Sequence, residues 1–555
     1  MSGWLKKYGV ALLVGAAGIV VAPAVQADSL IENVNGMTLD SEGKVIRFTA
    51  MLVDDDGRVK QLLDRRDKRP REVDFQFDGK GQTLIPGFFD AHGHVMDMGF
   101  GALTLDLSET KTLAEALAKI SQYAADNAGR QWILGTGWNQ ETWGLGRFPT
   151  APELDAAVPD RPVFLSRVDG HAVWVNGAAM AAAGVSGSSK SPSGGTIVKI
   201  GGKPSGIFVD AAMALFNDAI PAPKPAERDL AFGKAQDILL ANGVTSIADM
   251  GTTMQDWQSF RRAGDKGQLK IRIISYAGGI DNMIAIAGPA PSPWLYDDHL
   301  KLAGVKLYID GALGSRGALL KQPYADMPGE SGLAMLTSAQ LKNKMSRAAM
   351  DGFQTAVHAI GDKANDEILS AIEELEATYK GDRRWRVEHA QIIDPVDISR
   401  FAATGTIASM QPVHQTSDRL MAEARLGPDR INGAYAWKSL LDSGAVLAFG
   451  TDVPVESSNP FAGLAAAITR EDGAGQPFGG WMPSERLKRE QAWQAYTQGA
   501  AYAAFAEDRL GSLEPGKRAD FLIVDQDMML ATPAQIRNMK VLQTWIGGKP
   551  VFIQK

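Results

Sequence analysis

The chain has no cysteine, so disulfides, a thiolate nucleophile and cysteine-ligated zinc are all excluded. Any metal must be held by histidine, aspartate, glutamate or a less ordinary ligand. Nucleotide signatures are missing too: no Gly-x-Gly-x-x-Gly follows a strand, and there is no Walker-type phosphate loop. The serine-hydrolase elbow is absent, since "ALGSRG" does not fit Gly-x-Ser-x-Gly. Nor is there a basic surplus. The formal charge is -7, and the basic runs Arg65-Arg66 and Arg383-Arg384-Trp385-Arg386 lie beside Asp64, Asp67, Asp382 and Glu388. Ion pairs or solvated faces explain those runs better than a nucleic-acid groove. Repeats and low-complexity blocks are lacking, and 45% hydrophobic with 22% charged residues is the balance of a soluble globular enzyme. At 555 residues, one large domain with an accessory domain is expected.

What is present begins with "MSGWLKKYGVALLVGAAGIVVAPAVQA", where Lys6-Lys7 precede an apolar run that ends in small residues at Val25-Gln26-Ala27. Residues 1–27 are read as a secretory signal peptide, with a mature chain starting at Asp28 that is exported to the periplasm or secreted. An uncleaved membrane anchor is the competing reading, disfavoured by the glycines and by Pro23.

Residues 28–83 and 508–555 share a pattern of short alternating strands and polar turns, as in "KVIRFTAMLVDDDGRVKQLL" and "VLQTWIGGKPVFIQ". They are expected to form one small composite β-sandwich domain from both ends of the mature chain. Residues 84–507 alternate strands with helical stretches, the mark of an α/β fold with a parallel sheet. Ten buried-strand candidates occur there, two more than an eight-stranded barrel needs. Placing "WILGTGW" and "VFLSRVDGH" in an inserted subdomain of about 103–224, after the first barrel strand, leaves a (β/α)8 TIM-like barrel.

Within that scheme, polar residues gather where barrel active sites lie. "LIPGFFDAHGHV" runs a buried strand into His92 and His94, which alternation directs to one face. Alone, this pair could be two hydrogen-bonded core histidines or a metal site. Lys306 lies in strand four, while His358, His389 and Asp452 end strands five, six and eight, which favours the metal site. An ammonium at Lys306 beside cations is unfavourable. Two readings stay open for it: a carbamate formed with carbon dioxide and able to bridge two metals, or an ordinary partner of Asp310.

The motifs "LIPGFFDAHGHV", "GWNQETW", "RVDGHAVWVNG", "NGVTSIADMG", "VKLYIDGALGSRGA", "VHAIGDKAND", "RVEHAQI", "SMQPVHQTSD", "FGTDVPV" and "GSLEPGKRADFLIVD" together resemble the amidohydrolase superfamily. Within it, the resemblance is to the subgroup that includes N-substituted formamide deformylases, and it covers nearly all of the mature chain. It implies a barrel with a composite β domain and a centre of two divalent ions, most simply zinc. His92, His94 and Asp452 would hold one ion, His358 and His389 the other, and carbamylated Lys306 would bridge them.

Such a centre brings bound water to a pKa of roughly 7, so hydroxide can attack a carbonyl while Asp452 shuttles the proton to the leaving nitrogen. His171 is a second catalytic candidate, orienting the carbonyl oxygen or the leaving group. Trp138, Asp169, Arg316 and His414 are candidates for substrate contact, with surface ion pairing the alternative for Arg316 and His414; Trp138, Trp143, Trp174 and Trp481 are candidates to line an apolar pocket, with core packing the safer explanation for any single one. The expected activity is hydrolysis of a non-peptide, amide-type carbon–nitrogen bond in a small molecule. Ester, lactone or phosphotriester hydrolysis on the same centre is the alternative, and a non-catalytic exported binding or regulatory protein is another. No nucleic-acid partner and no stable membrane association after processing are expected; homodimer formation is left open.

Expressed with its own leader in a Gram-negative host, the protein should be recovered from the periplasm beginning at Asp28. Recovery only in the membrane fraction, with Met1 or Ser2 retained, would identify an anchor instead.

Overall fold

The computed structural model describes residues 28–70 and 72–554, so the expected signal peptide lies outside the described residues. Eight strands pair in chain order, all parallel: Phe88–Gly93 (β1), Val244–Thr252 (β2), Arg272–Gly278 (β3), Leu300–Tyr308 (β4), Gln354–Ala359 (β5), Arg386–His389 (β6), Ile407–Met410 (β7) and Leu447–Phe449 (β8). Nearly every residue in them is buried, because one face fills the interior and the other lies under helices. This is why they read as apolar runs rather than alternating ones.

The intervening helices show the complementary pattern. In Asp362–Glu376 the buried positions include Ala364, Ile368, Ile372 and Leu375, a stripe at three- and four-residue spacing. Helix Ser338–Met350 starts at a capping box. Thr337 accepts from the Gln340 main chain, and Gln340 Oε1 accepts from Thr337 N at 2.9 Å.

The sheet nearly closes on itself between β1 and the residues after β8. Gly93 bridges Val453 in parallel, Asp452 N donates to His92 O at 2.7 Å, and His94 N donates to Val453 O at 2.8 Å. The result is a TIM-like barrel, as the alternating pattern predicted.

Two further sheets flank it. In one, five strands from residues 29–86 join three from residues 521–553 in a single eight-stranded sheet. Its two parts meet where Thr83–Pro86 runs antiparallel to Phe521–Val524. The other has six strands, from Leu105–Asp106 to Lys203–Asp210, and includes the two surplus candidates as Ile133–Trp138 and Val163–Arg167. Among the described residues no helix is long and apolar enough to cross a membrane.

The eight-stranded sheet is tied to the end of the barrel where strands begin. Arg272, the first residue of β3 and fully buried, donates to both Asp520 carboxylate oxygens at 2.6 and 3.0 Å. Asp520→Ala leaves that guanidinium buried without its carboxylate, so it should destabilise by about 3–5 kcal/mol. A paired replacement, Arg272→Met with Asp520→Leu, should cost much less. Urea unfolding midpoints of the two variants check the difference.

Candidate metal centre

The opposite end of the barrel collects six of the seven histidines in the chain. Their rings form a continuous path: His94 to His92 at 5.4 Å between centroids, His92 to His389 at 4.8 Å, His389 to His358 at 4.6 Å, and His358 to His171 at 5.2 Å. His414 stacks on His389 at 6.1 Å. The seventh, His299, sits elsewhere, directing Nδ1 at Tyr296 O.

Local backbone geometry points these side chains at the axis. His389 and Asp452 have φ values of +74° and +58°, in the left-handed region that non-glycine residues seldom adopt. Each such residue stores about 1–3 kcal/mol of strain and persists only where its surroundings enforce it. For Asp452 the enforcement is the seam: its own N–H is bound to His92 O.

Donor atoms of His92, His389 and Asp452 lie within 4.8 Å of one another, close enough to share one ion. Asp452 Oδ1 also stands 3.0 Å from His94 Nε2 and 3.4 Å from His92 Nε2. Burial opposes ionisation of Asp452, but His92, His94 and His389 around it hold its carboxyl well below the usual range. Burial does the reverse to the rings: it pushes His92 down to about 4, and holds His358 and His389 well below the ordinary imidazole value, with neighbouring cations adding to it. His92, His358 and His389 are therefore neutral beside an ionised Asp452, the protonation states that ligation requires, whereas the Asp452 carboxylate raises His94 against the effect of burial.

Two of these rings are also oriented from behind. His92 Nδ1–H donates to Glu388 Oε2 at 2.6 Å, and His389 Nδ1–H donates to Gln411 Oε1 at 2.9 Å, leaving Nε2 of both rings toward the centre. Glu388 is itself fully buried and forked by Arg386, at 2.7 and 3.2 Å. Against the effect of burial, Arg386 and His92 bring its pKa down to about 2.

A sequence model of the amidohydrolase family matches residues 77–552. The chain belongs to the amidohydrolase family. It is 36% identical over 493 residues to the protein LONG AFTER FAR-RED 3 of Arabidopsis thaliana, covering 85% of this chain and 83% of the relative. An N-substituted formamide deformylase of Arthrobacter pascens is 28% identical over 487 residues, covering 85% and 88%. Among solved structures, an uncharacterized metal-dependent hydrolase of Pyrococcus horikoshii OT3 superposes with a TM-score of 0.73 at 26% identity, covering 91% of this chain and 99% of that one.

Membership in the amidohydrolase family implies a divalent metal, and the donor set fits one. His358 Nε2 and Asp452 Oδ1 are buried without a hydrogen-bond partner among the described residues, as donors meant for a cation would be. Lys306 enters the same space. Its Nζ lies 3.1 Å from His92 Nε2, while burial draws its pKa down to about 8 against the pull of Glu388 and Asp452. The alternative pairing of Lys306 with Asp310 is not formed. The Asp310 carboxylate instead accepts from the main-chain N–H groups of Leu319, Ile360 and Gly361 at 2.8–3.0 Å.

The remaining candidates divide. His414 Nε2 lies 3.7 Å from Asp452 Oδ2, and His171 donates through Nδ1 to Asp210 Oδ1 at 2.6 Å. Asp169 is bound by Arg167 and accepts from His171 N. Arg316 is engaged by Asp326, at 2.8 Å. For Trp138, Trp143 and Trp174, the structure shows the packing alternative. Trp138 has no exposed surface, packs against the other two within the six-stranded sheet's core, and donates Nε1–H to Leu165 O. Large rings there fill a hydrophobic core. Trp481 is likewise buried, packed on Tyr435 and donating to Glu423.

Sequence reasoning passed over Glu388, Gln411 and Asp210. For Glu388 a signal was available: in "RVEHAQI", strand alternation puts Arg386 and Glu388 on one buried face, so that the carboxylate has its counter-ion there, one residue before His389. Replacing His389 by Ala removes one of the three converging donors, so the bound divalent metal of chelator-free protein should fall clearly below the wild-type ratio in elemental analysis. His299→Ala, away from the site, should leave that ratio unchanged.

Proposed function

We propose that this metal-dependent hydrolase cleaves a non-peptide, amide-type carbon–nitrogen bond in a small molecule, and that its centre takes two zinc ions. The observation that carries the proposal is the donor set. His92, His94, His358, His389, Asp452 and Lys306 together exceed what one tetrahedral ion needs. His92, His94 and Asp452 would hold one ion and His358 and His389 the other, with Lys306 as a bridging carbamate; a lysine amine drawn toward neutrality is the form that reacts with carbon dioxide. When bound, the metal lowers the pKa of a coordinated water to roughly 7 and polarises a carbonyl.

The chain supplies the rest. Asp452, at the centre of the imidazoles, would accept the proton of the attacking water and act as shuttle toward the leaving nitrogen. His171 faces the same space from the six-stranded sheet, where it would meet the carbonyl oxygen or the leaving group, and His414 borders it from the helix after β7. Glu388 and Gln411 fix the His92 and His389 rings. Amide cleavage, rather than ester cleavage, is supported by this excess of proton-handling groups, because a nitrogen leaving group needs protonation. The deformylase relative is consistent with a small acyl portion. The enzyme is read as exported, with residues 1–27 removed.

Zinc-loaded mature protein should hydrolyse N-acyl arylalkylamines in preference to matched esters and lactones, with about two metals per chain. Asp452→Asn should lower turnover by at least ~100-fold while retaining some metal. Turnover confined to esters or lactones would transfer the assignment to those bonds, and near-normal turnover of metal-loaded Asp452→Asn would remove its proton role.

A further inference from the structure

Asp210 ends the strand Lys203–Asp210 of the six-stranded sheet, His171 directly precedes the neighbouring strand Ala172–Val175, and the two residues are joined twice. Ala172 and Val209 are register partners, and just beyond them Asp210 N donates to His171 O at 3.0 Å. The side chains repeat the link, His171 Nδ1–H to Asp210 Oδ1 at 2.6 Å. A φ of +50° at Asp210 turns the backbone into a conformation that an aspartate adopts only under constraint.

The carboxylate is seated in a space made for it by the barrel. A Cβ added at Gly311 or Gly317, in the segment after β4, would stand 2.6 or 2.9 Å from Asp210 Oδ2. Glycine at both positions lets the carboxylate approach. Yet Oδ2 is buried with no hydrogen-bond partner among the described residues. A pair kept only for stability would be expected to satisfy both oxygens, because an unpartnered buried acceptor opposes folding. What the arrangement does secure is the imidazole. Its Nδ1 is pinned, its Nε2 makes no hydrogen bond among the described residues, its side chain is 17% exposed, and its ring lies 5.2 Å from that of His358.

We propose that His171, held by Asp210, delivers the proton that the leaving nitrogen takes as the carbon–nitrogen bond breaks. This rests on the amide-hydrolase reading above, and it divides the shuttle: Asp452 collects the proton of the attacking water, and His171 serves the leaving group from beside His358. In the step, the electron pair of the C–N bond goes to nitrogen, and nitrogen takes the proton from His171 Nε2. The imidazole is left neutral, still donating Nδ1–H to Asp210, and regains a proton from solvent at its exposed edge. A buried carboxylate behind an imidazole fixes its orientation and stabilises its protonated form, so Asp210 is a positioning residue and His171 the catalytic one.

The test uses zinc-loaded full-length protein and para-substituted formanilides, whose leaving amines vary in basicity at nearly constant size, with para-nitrophenyl acetate as an ester whose leaving group departs unprotonated. His171→Gln and Asp210→Asn should keep wild-type metal content, lose ~100-fold or more in kcat on the most basic leaving amines, and lose less than ~10-fold on the ester. Added imidazole should restore part of the rate of His171→Gly on those same amines. Gly311→Ala, which crowds Asp210 Oδ2, should shift the leaving-group dependence in the same direction. Equal losses across all leaving groups, or loss of metal from both variants, would overturn the delivery role. Absence of formanilide turnover in the wild-type protein, with esters still cleaved, would instead overturn the amide reading on which it rests.

Discussion

Asp90 clasps the first barrel strand to the segment beyond the last. Its Oδ1 accepts from His92 N at 3.1 Å and from Thr451 N at 2.9 Å, while Oδ2 accepts from the Thr451 hydroxyl at 2.5 Å. Of the candidate ligands, His92 and His94 belong to the start of the barrel, and Asp452 to its end, 358 residues after His94. They can share an ion only if that seam is shut. Burial lifts the Asp90 carboxyl to about 6, against the hydrogen bonds from Thr451 and His92. The left-handed backbone at Asp452 is a second consequence of the same closure.

Behind the imidazoles lies a fully buried ionic layer. Arg386 binds Glu388, the main-chain oxygen of Ala91 and the hydroxyls of Tyr276 and Ser409, and Glu388 binds His92. Buried ion pairs contribute little net stability compared with well-packed apolar groups, but they define one arrangement sharply, because any other leaves a charge unpaired. Here the arrangement defined is the direction of His92 Nε2, a candidate metal donor. The interior of the barrel thus trades hydrophobic packing for orientation in the layer just beneath the site, and returns to packing below it, where Phe89, Ala248, Ile274 and Ala356 fill the axis.

The flanking sheets act at opposite ends. The eight-stranded sheet grips the end where strands begin, through Arg272 with Asp520 and through Arg518 with Asp298, and carries no residue of the site. The six-stranded sheet sends His171 and Asp210 to the mouth, and its tryptophans stay in its own core. Its contribution to the site is therefore polar and positional, and the apolar surface once expected from Trp138 and its neighbours serves to hold that sheet rigid.

The sequence alone determined the barrel strands, because segments buried on both faces must be continuously apolar and the helices between them must carry a stripe. It also determined which residues stand at the strand ends, since His92, His94, His358, His389 and Asp452 each terminate such a run or follow it directly. What it left undecided are partnerships between residues remote in the chain: Lys306 beside His92 rather than Asp310, Glu388 behind His92, Asp210 behind His171, and tryptophans turned inward. Periodicity reports which face of an element is buried, and that is a local property. Which buried faces meet is decided by barrel closure and by the docking of one sheet on another, and only the tertiary structure contains those distances.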